Sequence, residues 1–179
     1  MRSLLPPFAV LALAALAACD NAKPRPVDPP DPAATALVPA ATPAPTAAAG
    51  ASAGLAKRPE MAGFYLDAIN EAQDPVNRPA TISAAGPVTF SGFGFDPVAK
   101  APGAAVDVVV DGVAYSTAYG HARTDVASYF KAPALVNTGY TVTLPAGAVR
   151  PGRHQVIVRV VSADKTGYFD SVVIGFVAK

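Results

Sequence analysis

Residues 105–119, AVDVVVDGVAYSTAY, constrain the fold of this chain more than any other stretch. Val106, Val108 and Val110 fall on one side of an extended chain, with Asp107 and Asp111 on the other. Asp111-Gly112 follows, and Val113, Tyr115, Thr117 and Tyr119 resume in step. Two alternating runs joined by Asp-Gly are the strongest short-range signal for a β-hairpin. The same period recurs downstream in Tyr140, Val142 and Leu144, and in Val156, Val158 and Val160. The turns PAGAVRPG and ADKTG separate these runs, and YFDSVVIGFVA closes the chain. FYLDAIN and VTFSGFGF supply two strands upstream. About seven short strands divided by glycine and proline turns predict an all-β sandwich. Within it, Val158 should face the core and Arg159 the solvent. ARTDVASYFKAP, residues 122–133, breaks the rhythm. It reads as a short helical crossover between sheets, capped by Thr124 or Asp125, ended by Pro133, with Val126, Tyr129 and Phe130 on one face.

The only cysteine, Cys19, lies outside this region, so no intramolecular disulfide is possible and the sandwich must be held by its core. What precedes Cys19 has the layout of a secretory signal: a basic start at Arg2, then an apolar run from Leu4 to Ala18. That run is short for a membrane span of about 20 residues, and Pro6-Pro7 interrupts its start. Leu16-Ala17-Ala18-Cys19 resembles the bacterial lipoprotein signal, the lipobox, in which the thiol takes a lipid through a thioether and small neighbours admit the peptidase. The resemblance implies removal of residues 1–18 and a mature chain beginning at Cys19 with two or three fatty chains, such as palmitate. At about 0.8 kcal/mol per buried methylene, two chains give stable anchoring to a membrane. It also implies a bacterial envelope location facing the periplasm or exterior, and Asp20 leans this towards the inner membrane.

Residues 19–60 read as a tether. From Asp20 to Glu60 the 41 residues hold 9 prolines and 13 alanines and almost no large apolar side chain, so they cannot offset ordering entropy with a core. The reach is about 35 Å as a flexible coil and about 120 Å as extended polyproline II. Thr35, Thr42, Thr46 and Ser52 lie among the prolines as possible O-glycosylation points, although spacer duty accounts for them. The globular domain is then placed at residues 61–179, long enough for one core. Without the signal the chain has 13 basic and 13 acidic side chains, which argues against nucleic-acid binding.

The domain resembles bacterial immunoglobulin-like domains appended to envelope proteins. The matching pieces are SGFGFD (91–96), VDVVVDG (106–112), YGHARTDVASYF (119–130), TGYTVTLP (138–145) and RPGRHQVIVRVVSADKTG (150–167). The likeness covers roughly residues 63–178 and departs at Phe93, where a tryptophan is usual. It implies an immunoglobulin-like β-sandwich with a role in binding or spacing, and assigns no reaction.

Few residues could carry chemistry. His121 and His154 are the only histidines, and neither has a partner at metal-ligand spacing. Gly-rich phosphate loops and the G-x-S-x-G and H-E-x-x-H patterns are absent from the sequence. His121, Arg123 and Asp125 form the best polar cluster, able to grip a carboxylate or a sugar; a helix cap by Asp125 paired with Arg123 is the favoured reading. Tyr115 and Tyr119, expected on one face of one strand, could stack on a sugar or a partner, and otherwise belong to the core. Asp96, Asp107, Asp111, Asp164 and Asp170 lack the D-x-D-x-D order of a calcium loop and read as solvated acids, with His154 at a turn or edge. No catalytic residue, cofactor or metal is expected. The preferred function is a lipid-anchored, non-enzymatic interaction or structural module. The alternative is a carbohydrate-binding or adhesive module acting on envelope glycan, which an exposed tyrosine cluster beside polar groups would favour.

Overall fold

The computed structural model describes residues 49–179. The signal segment 1–18, Cys19 and the tether as far as residue 48 lie outside the described residues. The strands are β1 (Ala56–Met61), β2 (Gly63–Ile69), β3 (Ala72–Gln73), β4 (Ala80–Ile82), β5 (Val88–Asp96), β6 (Ala101–Pro102) and β7 (Ala105–Val110). They continue with β8 (Val113–Ser116), β9 (Ala118–His121), β10 (Gly139–Leu144), β11 (Gly152–Val161), β12 (Gly167–Asp170) and β13 (Ile174–Ala178). Among the described residues one helix, α1 (Thr124–Tyr129), and a 3-10 turn at Pro133–Asn137 stand between β9 and β10. The fold is all-β, in two sheets.

The Asp-Gly hairpin falls where the alternation puts it. β7 and β8 pair antiparallel, and Asp111 and Gly112 between them have φ of +48° and +86°. Both values lie in the left-handed region that a type I′ turn needs. β11 pairs with β7 along one edge; its other edge is shared by β12 and β13, which β1 and β4 join in parallel. The second sheet runs β3-β2-β5-β10-β9, with β6 on the end of β5.

Val106, Val108, Val110, Val156, Val158 and Val160 of the first sheet meet Leu66, Phe90, Tyr140 and Leu144 of the second in one core. Phe90 and Phe176 pack edge to face across it, 5.9 Å between ring centres. Gly94 makes the approach possible, because a Cβ there would lie 2.9 Å from a Val160 methyl. Val158 is fully buried, as its place in the alternation requires. Arg159 points the other way but is not free: its guanidinium lies 3.9 Å from the Tyr168 ring centre and donates from Nε to Asp170 at 2.7 Å.

Several expectations give way to the structure. β7 is buried on both faces, since Asp107 and Val109 on its outer side are also covered. Asp107 is covered by the turn at residues 50–54, whose Ala51 and Ser52 amides donate to its two carboxylate oxygens at 2.9 and 2.8 Å. Residues 50–60 are therefore part of the fold, which does not start at Met61, and Ser52 is buried rather than displayed on a tether. The composition that reads as linker serves here for close approach: a Cβ on Gly50 would lie 2.6 Å from both Ala114 and Asp107. The run from Val113 to Tyr119 is not one strand. Thr117 donates from its amide and hydroxyl to the Val106 carbonyl, and the chain passes there from β8 to β9 in the other sheet. The crossover joins β9 and β10 of a single sheet rather than linking the two, and Pro133 opens the 3-10 turn instead of ending α1. The last strand is split at Ser171–Val173, where the Ser171 side chain caps the Val158 amide.

A chain starting at Met61 loses both amides that satisfy Asp107. Hydrogen bonds to a charged group are worth about 1.5–3 kcal/mol each. Relative to a chain starting at residue 49, it should lose at least about 3 kcal/mol, roughly 10 °C of Tm by thermal unfolding. Equal melting temperatures would mean that the 49–60 segment contributes nothing.

Candidate functional site

The second sheet carries aromatic rings on its outer face as well as in the core. In β5, Phe90 points inward, while Phe93 and Phe95 point out by the alternation of the strand. Tyr65 of β2 pairs with Phe93 across the sheet, the rings 6.3 Å apart and within 16° of parallel. Phe95 lies over Gly63, where a Cβ would meet its ring at 2.4 Å. Val126 of α1 and Leu135 of the 3-10 turn cover Phe95 in a second, smaller core. One turn along, Phe130 stands edge-on to Phe95 and Phe93, and Tyr129 edge-on to Phe130. Tyr129 is 81% exposed and Phe130 44%. The helix thus covers part of the aromatic face and presents the rest to solvent.

Arg123, at the start of α1, fixes the polar side of this surface. Its Nε and Nη2 donate to both oxygens of Asp125 at 2.9 and 2.7 Å, and Nη1 donates to Asp67 Oδ2 at 2.6 Å. The guanidinium lies 5.2 Å from the Phe93 ring centre. The hydrogen bond from Arg123 holds the Asp125 carboxyl at about 2, against a smaller opposing effect of burial. The same bond, opposed by burial and aided by Asp67, raises the Arg123 pKa further above its ordinary value. Between these groups and the rings is an open depression of about 490 Å³, lined by Phe64, Tyr65, Asp67, Phe93, Arg123 and Tyr129 among others. Beneath it the Tyr65 hydroxyl donates to Asp74 at 2.5 Å and accepts from Asn77 at 2.9 Å.

The expected cluster is partly assembled. Arg123 and Asp125 meet, but Asp125 does not cap α1, because its carboxylate engages Arg123. His121 is exposed at the end of β9 and bonds to neither. Tyr115 and Tyr119 sit in different sheets, both half-buried against the main core. The Tyr119 hydroxyl donates to Gly94 O at 2.7 Å and accepts from the Gly103 amide, and burial, opposed by that amide, pushes it up to about 12. The two tyrosines therefore do not form one stripe on one strand. Sequence reading missed Asp67 and Tyr65, although the outward positions of FYLDAIN carry both.

The five aspartates weighed for calcium hold protein donors instead. Asp96 accepts from the Val98, Ala99 and Ala163 amides, and Asp164 from Arg58, Ser162 and Thr166. Asp170 pairs with Arg159 and Lys57. Asp96, Asp107 and Asp170 are buried rather than solvated. Asp111 accepts from the Gln155 amide and pairs with His154, whose ring lies against Phe176 with only 11% of the side chain exposed. His154 is therefore part of the core margin, not an edge residue.

Comparison with protein-family models, with curated proteins and with solved structures yields no match.

Both His154 ring nitrogens face oxygen acceptors, Asp111 Oδ2 and Arg150 O, each at 2.6 Å. Only the imidazolium can donate to both. Burial works to lower the His154 pKa, but these bonds and the Asp111 charge outweigh it, and the net shift is upward from 6.5. A raised folded-state pKa contributes stability that is complete below the unfolded value and is lost as pH rises through the folded one. Tm should fall from about pH 6.5 upward until His154 has titrated, and His154→Gln should be flat across that window. Ring signals of His154 titrating below 6.5 would contradict this.

Proposed function

We propose that this chain is a non-catalytic, lipid-anchored bacterial envelope module that presents an immunoglobulin-like domain for interaction or spacing. The anchor rests on the lipobox resemblance of Leu16 to Cys19. The immunoglobulin-like reading rests on strand order. β2, β5, β10 and β9 form one sheet and β8, β7, β11 and β13 the other, with hairpin and crossover connections between them. That order parallels the ABED and C′CFG sheets of such domains, with Phe90 of β5 and Val158 of β11 in the core between the two strands that a B–F disulfide would otherwise join.

The observation that carries the interaction reading is the aromatic rim of α1. Tyr129 and Phe130 are exposed side by side, and Phe130 rests on Phe93 and Phe95. Exposed aromatic anchors on a rigid base are the usual centres of recognition surfaces. A second reading, glycan binding, is favoured by the carboxylates that flank the same rings.

The wild-type chain should take up a labelled fatty acid, fractionate with membranes and give discrete envelope crosslinks from a photoreactive group at residue 131. Cys19→Ser should abolish label and membrane retention. A Tyr129→Ser, Phe130→Ser double variant should keep label and fold, as both rings are exposed, but lose the crosslinks. Absence of label from the wild type would overturn the anchor, and unchanged crosslinks in the double variant would overturn the interaction surface.

A further inference from the structure

The depression beside α1 has a donor and acceptor balance that selects its ligand. Its charged lining consists of Asp67 and Asp125 with one guanidinium, three of whose five N–H donors are already directed at those two carboxylates. Asp67 has 36% of its side chain exposed, and among the described residues no donor is paired with its Oδ1. The Tyr129 ring is open to solvent at the rim. The site thus offers acceptors, aromatic faces and edges, and as remaining donors the Tyr129 hydroxyl and the two Arg123 N–H groups that Asp67 and Asp125 do not take.

Each class of ligand meets this lining differently. An acidic ligand would face two carboxylates and a guanidinium that is already paired. A proline-rich strand brings carbonyl acceptors and no prolyl amide donors, so the carboxylates would be left unmatched. A basic side chain would compete for the position that Arg123 already holds between Asp67 and Asp125, over Phe93. A neutral sugar has what remains: hydroxyl donors for carboxylate oxygens and an apolar C–H face for an aromatic ring. A cavity of about 490 Å³ also falls in the range of small-ligand sites, roughly 300–1,000 Å³.

We propose that this depression binds a neutral oligosaccharide, one pyranose ring against Tyr129 and Phe130 with its hydroxyls donated to Asp67 and Asp125. The proposal rests on the glycan reading given above and assigns it to Asp67, Asp125, Tyr129 and Phe130 rather than to His121, Tyr115 or Tyr119. The pairing of both acids with Arg123 sets the carboxylates in place before the ligand arrives, so little ordering cost remains to be met on binding.

The test is calorimetric titration of the full chain, in detergent micelles, with chitotetraose, cellotetraose and a lysine-rich peptide in separate runs. One of the tetrasaccharides should bind saturably and in preference to the peptide. Tyr129→Ala and Asp67→Asn should each weaken it about tenfold or more, the scale of one aromatic or charge-assisted contact, while His121→Ala should leave it unchanged. Circular dichroism on each variant separates loss of binding from loss of fold. Absence of saturable binding by either sugar, or binding that Tyr129→Ala leaves intact, would overturn the proposal. Preferential binding of the peptide would overturn it in favour of a basic partner. Each of these failures leaves the fatty-acid label and the envelope crosslinks of the interaction reading untouched.

Discussion

The contact between the valine faces of β7 and β11 and the rings of β5 and β10 is what the rest of the domain depends on. With Cys19 as the only thiol, no covalent link can join the sheets, so burial must hold them together. Val106, Val108, Val156, Val158 and Val160 are almost wholly removed from water, as are Phe90 and Tyr140 opposite. Full burial of one such side chain is worth about 1.5–3 kcal/mol, against a domain stability of about 5–15 kcal/mol. β-Branched side chains suit this place because they are stiff at χ1 and pack well on a pleated surface. Once the two sheets meet, every loop has a fixed pair of ends.

Aspartates then fasten those loops. Asp107 holds the turn at 50–54, Asp96 the 97–99 turn and the Ala163 amide, Asp111 the β7–β8 hairpin to β11, and Asp164 the β11–β12 turn. Each carboxylate accepts several bonds from backbone or side-chain donors, so a charge that would be costly to bury alone becomes a local tie. One effect reaches the candidate site by the same means. Arg123, held by Asp125 and Asp67, joins the start of α1 to β2 and sets the helix over Phe93 and Phe95. The exposed Tyr129 and Phe130 are consequences of that anchoring.

Much of this fold was legible in the sequence because side-chain period and turn chemistry act locally. Val106 to Val110, Asp111-Gly112 and Val156 to Val160 each occupy the strand or turn that their spacing requires. Three features escaped because they depend on contacts far along the chain. The segment 50–61 has the composition of a linker, and partners far along the chain give it a place: Asp107, 55 residues from Ser52, and strand β12, with which β1 pairs. The step between sheets at Thr117 follows from one carbonyl, Val106 O, and leaves no mark on the alternation of Tyr115 and Tyr119. The site was half visible: Arg123 and Asp125 are neighbours in sequence, whereas Asp67 lies 56 residues away and meets Arg123 only in the folded sheet.

Native-state hydrogen exchange tests the primacy of the inter-sheet core most directly. If that contact carries the domain, the amides of β7 and β11, with those of β5 and β10 opposite, exchange only through global unfolding and are the slowest in the chain. The amides of Ala51 and Ser52, held by Asp107 outside that core, should exchange faster, and those of α1 faster still. Amides of β7 and β11 exchanging as quickly as those of α1 would contradict the dependence of the fold on the valine-aromatic core.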